Sequence, residues 1–324
     1  MFSESIATGQ KLYTFVVPTP FSVGPVNVYL IKGESLTLVD VGPKTLEAKD
    51  YLGFELKQLG YSFHDIEQVV LTHHHPDHCG LLNEFERASI VGHPKNEPWI
   101  SKNEVFFHQM IDFFIDFYHG HGVEEALIEN VKKELLFLMK FSCERSLTKE
   151  LYDGDEIDGL PGWRVVETLG HAQSHISLHY AKKAMLIAGD HIIQDVSTNA
   201  IIEAPYDGQS RRPKTLLQYC QSLQEIKNLQ LQKVFSGHGR VIHQVNDLID
   251  LRLKGHEERA SVIMKILDEK EMTAFEICKM LFPKIYTKET ALTLSETIGH
   301  LDLLEDMKKV NVEVKDGITF YRKK

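Results

Sequence analysis

The stretch Thr72-His73-His74-His75-Pro76-Asp77-His78 decides how the rest of this 324-residue chain is read. It holds the pattern H-x-H-x-D-H, with His73, His75, Asp77 and His78 as the fixed letters. Imidazole is the commonest metal ligand, and carboxylate joins it in many sites. Packing gains nothing from three adjacent imidazoles on a polar loop, so the cluster reads as metal chemistry. Immediately upstream, Gln68-Val69-Val70-Leu71 reads as a short buried strand. The loop therefore leaves a strand's carboxyl end, where open α/β sheets place their sites. His73 and His75, two apart, can face one ion; Asp77 and His78 can face another. His74 between them is expected to point away, and Cys79 to be a small buried residue beneath the loop.

Two four- or five-coordinate sites need more ligands than one loop supplies. Three further candidates each stand just past a predicted strand. They are His171 in Leu169-Gly170-His171, Asp190 in Ala188-Gly189-Asp190 and His238 in Ser236-Gly237-His238-Gly239. The flanking glycines let backbone come close to an ion. The chain carries 17 histidines in all, so placement and not number gives these their meaning.

The surrounding pattern alternates strands and helices. Leu12–Val17, Val26–Ile31 and Ser35–Asp40 are β-branched or aromatic runs, separated by Pro18, Pro20, Gly24, Pro25 and Gly33. Lys44–Leu59 has helical apolar spacing and ends at Gly60. Residues 97–143 change character, with Phe106, Phe107, Met110, Phe113, Phe114 and Phe117 packed into a helical insertion. Strands return at Arg164–Leu169, Ile176–Tyr180, Met185–Ala188 and Lys233–Phe235, and Lys214–Leu229 reads as a helix. This is a layered α/β domain over residues 1–250. Residues 256–324 read as a second, small domain. It has helices over Glu257–Glu269, from the capping box Thr273-x-x-Glu276, and over Thr287–Lys308, then a hairpin around Lys315-Asp316-Gly317. Three helices and a terminal hairpin make a winged-helix pattern.

Bulk composition excludes several classes. No apolar run approaches a membrane span, and the start lacks the basic and apolar regions of a signal peptide. The four cysteines are scattered with no CxxC pair, against a zinc ribbon, a redox dithiol or a disulfide framework. A cytoplasmic location is the resulting expectation. The net charge of −10 disfavours electrostatic capture of nucleic acid.

The ordered set H-x-H-x-D-H, G-H, G-D and G-H-G resembles the metallo-β-lactamase superfamily, and Leu38-Val39-Asp40-Val41-Gly42 resembles its first motif. The resemblance spans about residues 12 to 243. It implies a four-layer αββα sandwich with a dinuclear centre at one edge. It assigns His73, His75 and His171 to one ion and Asp77, His78 and His238 to the other, with Asp190 bridging. Asp40 and His175 become supports of the ligands. The implied cofactor is two Zn2+, with Mn2+ or Fe2+ as alternatives. Asp77 and Asp190 are the expected catalytic carboxylates, and the implied nucleophile is a metal-bridging hydroxide. Arg211 and Arg212 are candidate anchors for an anionic part of the substrate.

Ile298-Gly299-His300-Leu301-Asp302-Leu303-Leu304 resembles the third helix of winged-helix tails in one subgroup, the glyoxalase II-like and β-lactamase-like protein 2 group. A winged helix suggests DNA, but residues 288–309 carry Lys288, Lys308 and Lys309 against Glu289, Glu296, Asp302, Glu305 and Asp306. That balance is wrong for a major groove, so the tail reads as a packing module. The leading expectation is hydrolysis of a small ester, thioester or lactone, with a small molecule as partner and no membrane. A homo-oligomer is compatible with the sequence. One alternative is a metal-dependent endoribonuclease, motivated by the tail and opposed by charge. A further one is a mononuclear-iron oxidoreductase similar to persulfide dioxygenases. His75 argues against the oxygen-reducing diiron members, which place Glu there.

Overall fold

The computed structural model describes residues 2–7, 9–206, 209, 211–268 and 270–324. Seven strands form the first sheet: β1 (Phe2–Ala7), β2 (Gln10–Val17), β3 (Val26–Lys32), β4 (Leu36–Val39), β5 (Gln68–Leu71), β6 (Ser89–Gly92) and β7 (Lys149–Glu150), in that spatial order. β1 to β4 are antiparallel and β4 to β7 parallel. The second sheet runs β11 (Lys233–Ser236), β10 (Met185–Gly189), β9 (Ile176–Tyr180), β8 (Trp163–Glu167).

Alternation along single strands sets how the sheets pack. On β3, Val28 and Leu30 join one core while Tyr29 and Ile31 join another. The first core takes Ala48, Leu52 and Leu56 of α1 (Leu46–Gln58). The second takes Trp163, Val165, Leu178 and Ile187, so the two sheets face each other across it. On β10, Leu186 and Ala188 point the other way, onto Leu216, Tyr219 and Leu223 of the helix Thr215–Asn228. A period of two, buried on both faces, is what helix-covered strands require.

Short helices α2 (Pro76–Cys79) and α3 (Glu97–Ile100) follow β5 and β6. The aromatic insertion forms α4 (Glu104–Gly120) and α5 (Glu125–Leu138); Asn103 caps α4 by accepting from the Phe106 amide. The helix Thr215–Asn228 is α6, and α7 spans Val245–Ile266. Residues 250–256, read from sequence as the boundary between domains, thus lie inside one continuous helix. The reason is packing: Leu248, Ile249, His256, Ala260 and Ile263 are all buried along it.

Beyond α7 come β12 (Met272–Thr273), α8 (Ala274–Leu281), α9 (Thr290–Asp306), β13 (Val310–Lys315) and β14 (Ile318–Lys323). The capping box at Thr273 and Glu276 opens α8 as the sequence predicts. The strands form a third sheet, β12-β14-β13. This part does not stand apart. Its core is shared with the insertion, where Tyr118, Leu127 and Ile128 meet Phe275, Ile298 and Leu301. α9 also lies close on α6, since a Cβ at Gly299 would sit 3.0 Å from the Leu216 Cβ. Among the described residues no helix is long and apolar enough to cross a membrane.

Candidate metal centre

Five segments end at one place: the residues after β4, β5, β8, β10 and β11 carry Asp40, His73–His78, His171, Asp190 and His238. His75 is the N-cap of α2 and Pro76 its first residue, so Asp77 and His78 are presented on the first helical turn.

Two groups of potential ligands result, one of His73, His75 and His171 and one of Asp77, His78 and His238, with His73, His78 and Asp190 also clustered. His75 Nδ1 lies 2.9 Å from His73 Nε2 and 3.0 Å from His171 Nε2. Nitrogens about 2.0–2.1 Å from one tetrahedral zinc would be about 3.3 Å apart, so the set is close to a coordination shell. In the second group, His238 Nε2 is 3.3 Å from Asp77 Oδ2, and His78 Nε2 is 3.4 Å from Asp190 Oδ1. Asp190 Oδ2 stands between the groups, 3.4 Å from His238 Nε2 and 3.7 Å from His171 Nε2.

Backbone and side chains fix the imidazoles from behind. His171 Nδ1 donates to the Asn199 carbonyl (2.9 Å), His238 Nδ1 to the Pro25 carbonyl (2.8 Å) and His78 Nδ1 to Asp40 Oδ2 (2.7 Å). Those bonds leave Nε2 of each ring as the free lone pair. Asp40 also accepts from the Thr72 amide and hydroxyl, at 2.9 and 2.8 Å, and holds a left-handed backbone with φ 60°. His175 accepts from the Asp190 amide (3.1 Å), while its Nδ1 meets the Thr168 hydroxyl (2.8 Å). His74 turns away, stacked on Trp99 at 4.1 Å and bonded to the Ser174 hydroxyl.

The donor set fits divalent metal on its own chemistry. His78 Nε2, His238 Nε2 and Asp190 Oδ1 are buried with no hydrogen-bond partner, an arrangement native interiors rarely leave without cause. Burial holds His73 and His75 well below the ordinary imidazole value, keeping them neutral ligands. Burial works the same way on His238, but Asp190 and Asp77 outweigh it and lift that ring to about 10. Asp190 itself stays ionised against burial because His238 and His78 face it. The carboxylates therefore call for positive charge at this point, which a bound cation supplies.

One expectation fails. Arg212 is no free anchor for an anion: its guanidinium is bidentate to Asp302 of α9, at 2.7 and 2.8 Å, and lies 5.3 Å from the Phe117 ring centroid. The planar fork matches a carboxylate, and Asp302 is buried there, so the pair ties α9 to the rest of the protein. Arg211 is exposed and lies outside the cavity that adjoins His75. Sequence reasoning missed Glu203, Tyr206 and Trp99. Glu203 accepts from the Gln173 amide (2.6 Å) and the Tyr206 hydroxyl (2.7 Å), and Tyr206 accepts from the Trp99 indole (2.8 Å). This chain of bonds braces the segment bearing His171, and no motif announces it.

Comparison with known proteins agrees with this geometry. The sequence profile of the metallo-beta-lactamase superfamily matches residues 22–238. The probable metallo-hydrolase YqjP of Bacillus subtilis (strain 168) is 45% identical over 301 residues, covering 92% of this chain and 93% of that protein. A beta-lactamase-like protein 2 homolog of Caenorhabditis elegans is 24% identical over 271 residues, 82% of this chain and 73% of its own. Among solved structures, a metallo-beta-lactamase family protein from Thermus thermophilus superposes with TM-score 0.79 at 27% identity, covering 99% of this chain and all (100%) of that one.

Proposed function

This chain belongs to the metallo-beta-lactamase superfamily and is a metal-dependent hydrolase, and from that premise we propose a dinuclear enzyme acting on a small ester, thioester or lactone. The observation that carries the reading is the convergence of three buried, unpartnered ligand atoms, on His78, His238 and Asp190, beside the three close nitrogens of His73, His75 and His171. In this proposal His73, His75 and His171 hold one divalent ion, Asp77, His78 and His238 the other, and Asp190 is shared. Zinc suits the nitrogen-rich set, with manganese or iron as alternatives. Divalent ions held by these residues would supply a lowered pKa for water and polarisation of a scissile carbonyl.

The chain's own residues do the rest. Asp77 orients the attacking water, and Asp190, kept ionised by His238 and His78, holds the two ligand groups together. Asp40, Thr72 and His175 keep rings and carboxylate from rotating away, and such supports typically matter about 10- to 100-fold in metal affinity. Trp99, stacked over His74, keeps bulk water from that side. The cores on either face of the paired sheets support reading the main body as a four-layer αββα sandwich. The three-stranded sheet with α8 and α9 supports reading the C-terminal part as a winged-helix module. Here that module packs; its acidic α9 suits a small-molecule enzyme better than a nucleic-acid reader.

The test is metal analysis joined to a substrate panel. About two divalent ions per chain and turnover of acyl esters, thioesters or lactones are expected, with phosphodiesters and single-stranded RNA left intact. A single iron per chain, or RNA cleavage lost in Asp77→Ala, overturns the proposal. His73→Ala and Asp190→Ala should each lose metal and turnover together.

A further inference from the structure

A cavity of about 220 Å3 adjoins the metal cluster, with His75 and Pro76 in its wall. Much of the remaining wall comes from parts of the chain remote in sequence, among them Phe114 and Tyr118 on α4, Leu135 on α5, and Ala291 and Leu292 on α9. It is almost wholly aliphatic and aromatic. Among the described residues no lysine or arginine lines it, and its carboxyl groups are Glu134 and Glu203. Both oxygens of Glu203 are already engaged, by the Gln173 amide and the Tyr206 hydroxyl, so that group faces the protein. A phosphate-bearing or otherwise anionic chain would meet acids and no cation. An uncharged hydrocarbon chain would meet a matching surface.

We propose that this cavity seats the aliphatic acyl chain of the substrate, and that α9 of the C-terminal module is one of its walls. The proposal rests on the hydrolase reading above and names its substrate class. If a methylene fills roughly the ~30 Å3 of a water, the cavity takes about six to eight carbons. The tail then has a function beyond packing: the Arg212–Asp302 pair holds α9 in place, and α9 sets the length of chain admitted. The aromatic insertion has the matching role on the opposite wall.

The experiment uses the full metal-loaded chain and two arms. In the first, 1-alkanols from butanol to dodecanol are titrated calorimetrically, which needs no turnover. Affinity should rise about fourfold per methylene up to about eight carbons and then level off. Ala291→Phe should bring the plateau roughly two to four carbons earlier with metal content retained. Val131→Phe, on α5 in the same wall, serves as a second variant should the first not fold. In the second arm, p-nitrophenyl esters of the same chain lengths are assayed for turnover. Length-dependent alkanol binding without ester turnover would overturn the proposed ester hydrolysis and leave the pocket standing. Turnover indifferent to chain length, or alkanol binding that neither variant shortens, overturns the pocket.

Discussion

Replacing Gly237 by alanine tests the geometry of the centre most directly. A Cβ at that position would lie 2.1 Å from Asp190 Oδ1 and 2.9 Å from His78 Cε1. Ordinary non-bonded contact starts near ~3.5 Å, so a displacement of about 1.4 Å is demanded. The backbone cannot supply it. The Gly237 amide is bonded to the Gly189 carbonyl at 2.6 Å, and its own carbonyl accepts from the Asn27 amide at 2.6 Å. Asn27 and Tyr29 further clamp the adjacent Ser236 carbonyl, at 2.9 and 2.5 Å. The carboxylate must therefore move, and it is the carboxylate that lies within 3.7 Å of His171, His78 and His238. A misplacement of about 1 Å typically costs about 100-fold in rate. Gly237→Ala is expected to lose at least that much turnover and to bind metal more weakly, while its circular dichroism stays native. The control is Gly239→Ala, where the nearest atom is an Asp195 carboxylate oxygen at 3.7 Å. With φ at 73° it should cost stability, about 1–2 kcal/mol, and not metal. Metal content by mass spectrometry and chelator titration separate the two. Wild-type metal affinity in Gly237→Ala would show that Asp190 does not sit where the structure puts it.

Other perturbations have equally definite outcomes. Asp302→Ala strands the Arg212 guanidinium in a largely buried place and should destabilise by about 3–5 kcal/mol in urea unfolding; a loss below about 1 kcal/mol would mean the pair behaves as a solvated surface bridge. Glu203 is lifted by burial from its ordinary 4.5 to about 7, against the Tyr206 and Gln173 hydrogen bonds. A carboxyl raised on folding stabilises fully below about pH 4.5, and that contribution is lost as pH rises through about 7. Metal-free wild type should therefore lose about 2–3 kcal/mol relative to Glu203→Gln between about pH 5 and pH 8. A pH-independent difference between the two proteins would contradict the burial. Chelation of the intact enzyme should lower its melting temperature, restored on adding zinc or manganese, because metal bound only by the folded state stabilises it.

Much of the fold is legible in local pattern. Alternating runs such as Val26–Ile31 and Gln68–Leu71 have both faces buried, and Thr273-x-x-Glu276 opens its helix as capping chemistry requires. The polar cluster His73–His78 can be read because it violates the packing logic of everything around it. The readings that fail are longer-ranged. The helices and hairpin of residues 256–324 suggest a separate domain, yet burial along α7 carries that helix through residues 250–256, Gly255 included. Arg212 looks available in sequence because its partner, Asp302, is 90 residues away.

The sequence by itself determined the identity and order of the candidate ligands and their attachment to strand ends, because each motif is a few residues long and its chemistry is local. Only the tertiary structure decided which nitrogen of each imidazole is free. That depends on the carbonyls of Pro25 and Asn199 and the carboxylate of Asp40, brought in from elsewhere in the chain. It also decided that α4, α5 and α9 enclose one apolar cavity beside His75. The physical reason is the same in both cases. Hydrogen-bond direction and hydrophobic burial are satisfied by whichever groups folding brings within a few ångströms, and one-dimensional spacing does not record that proximity.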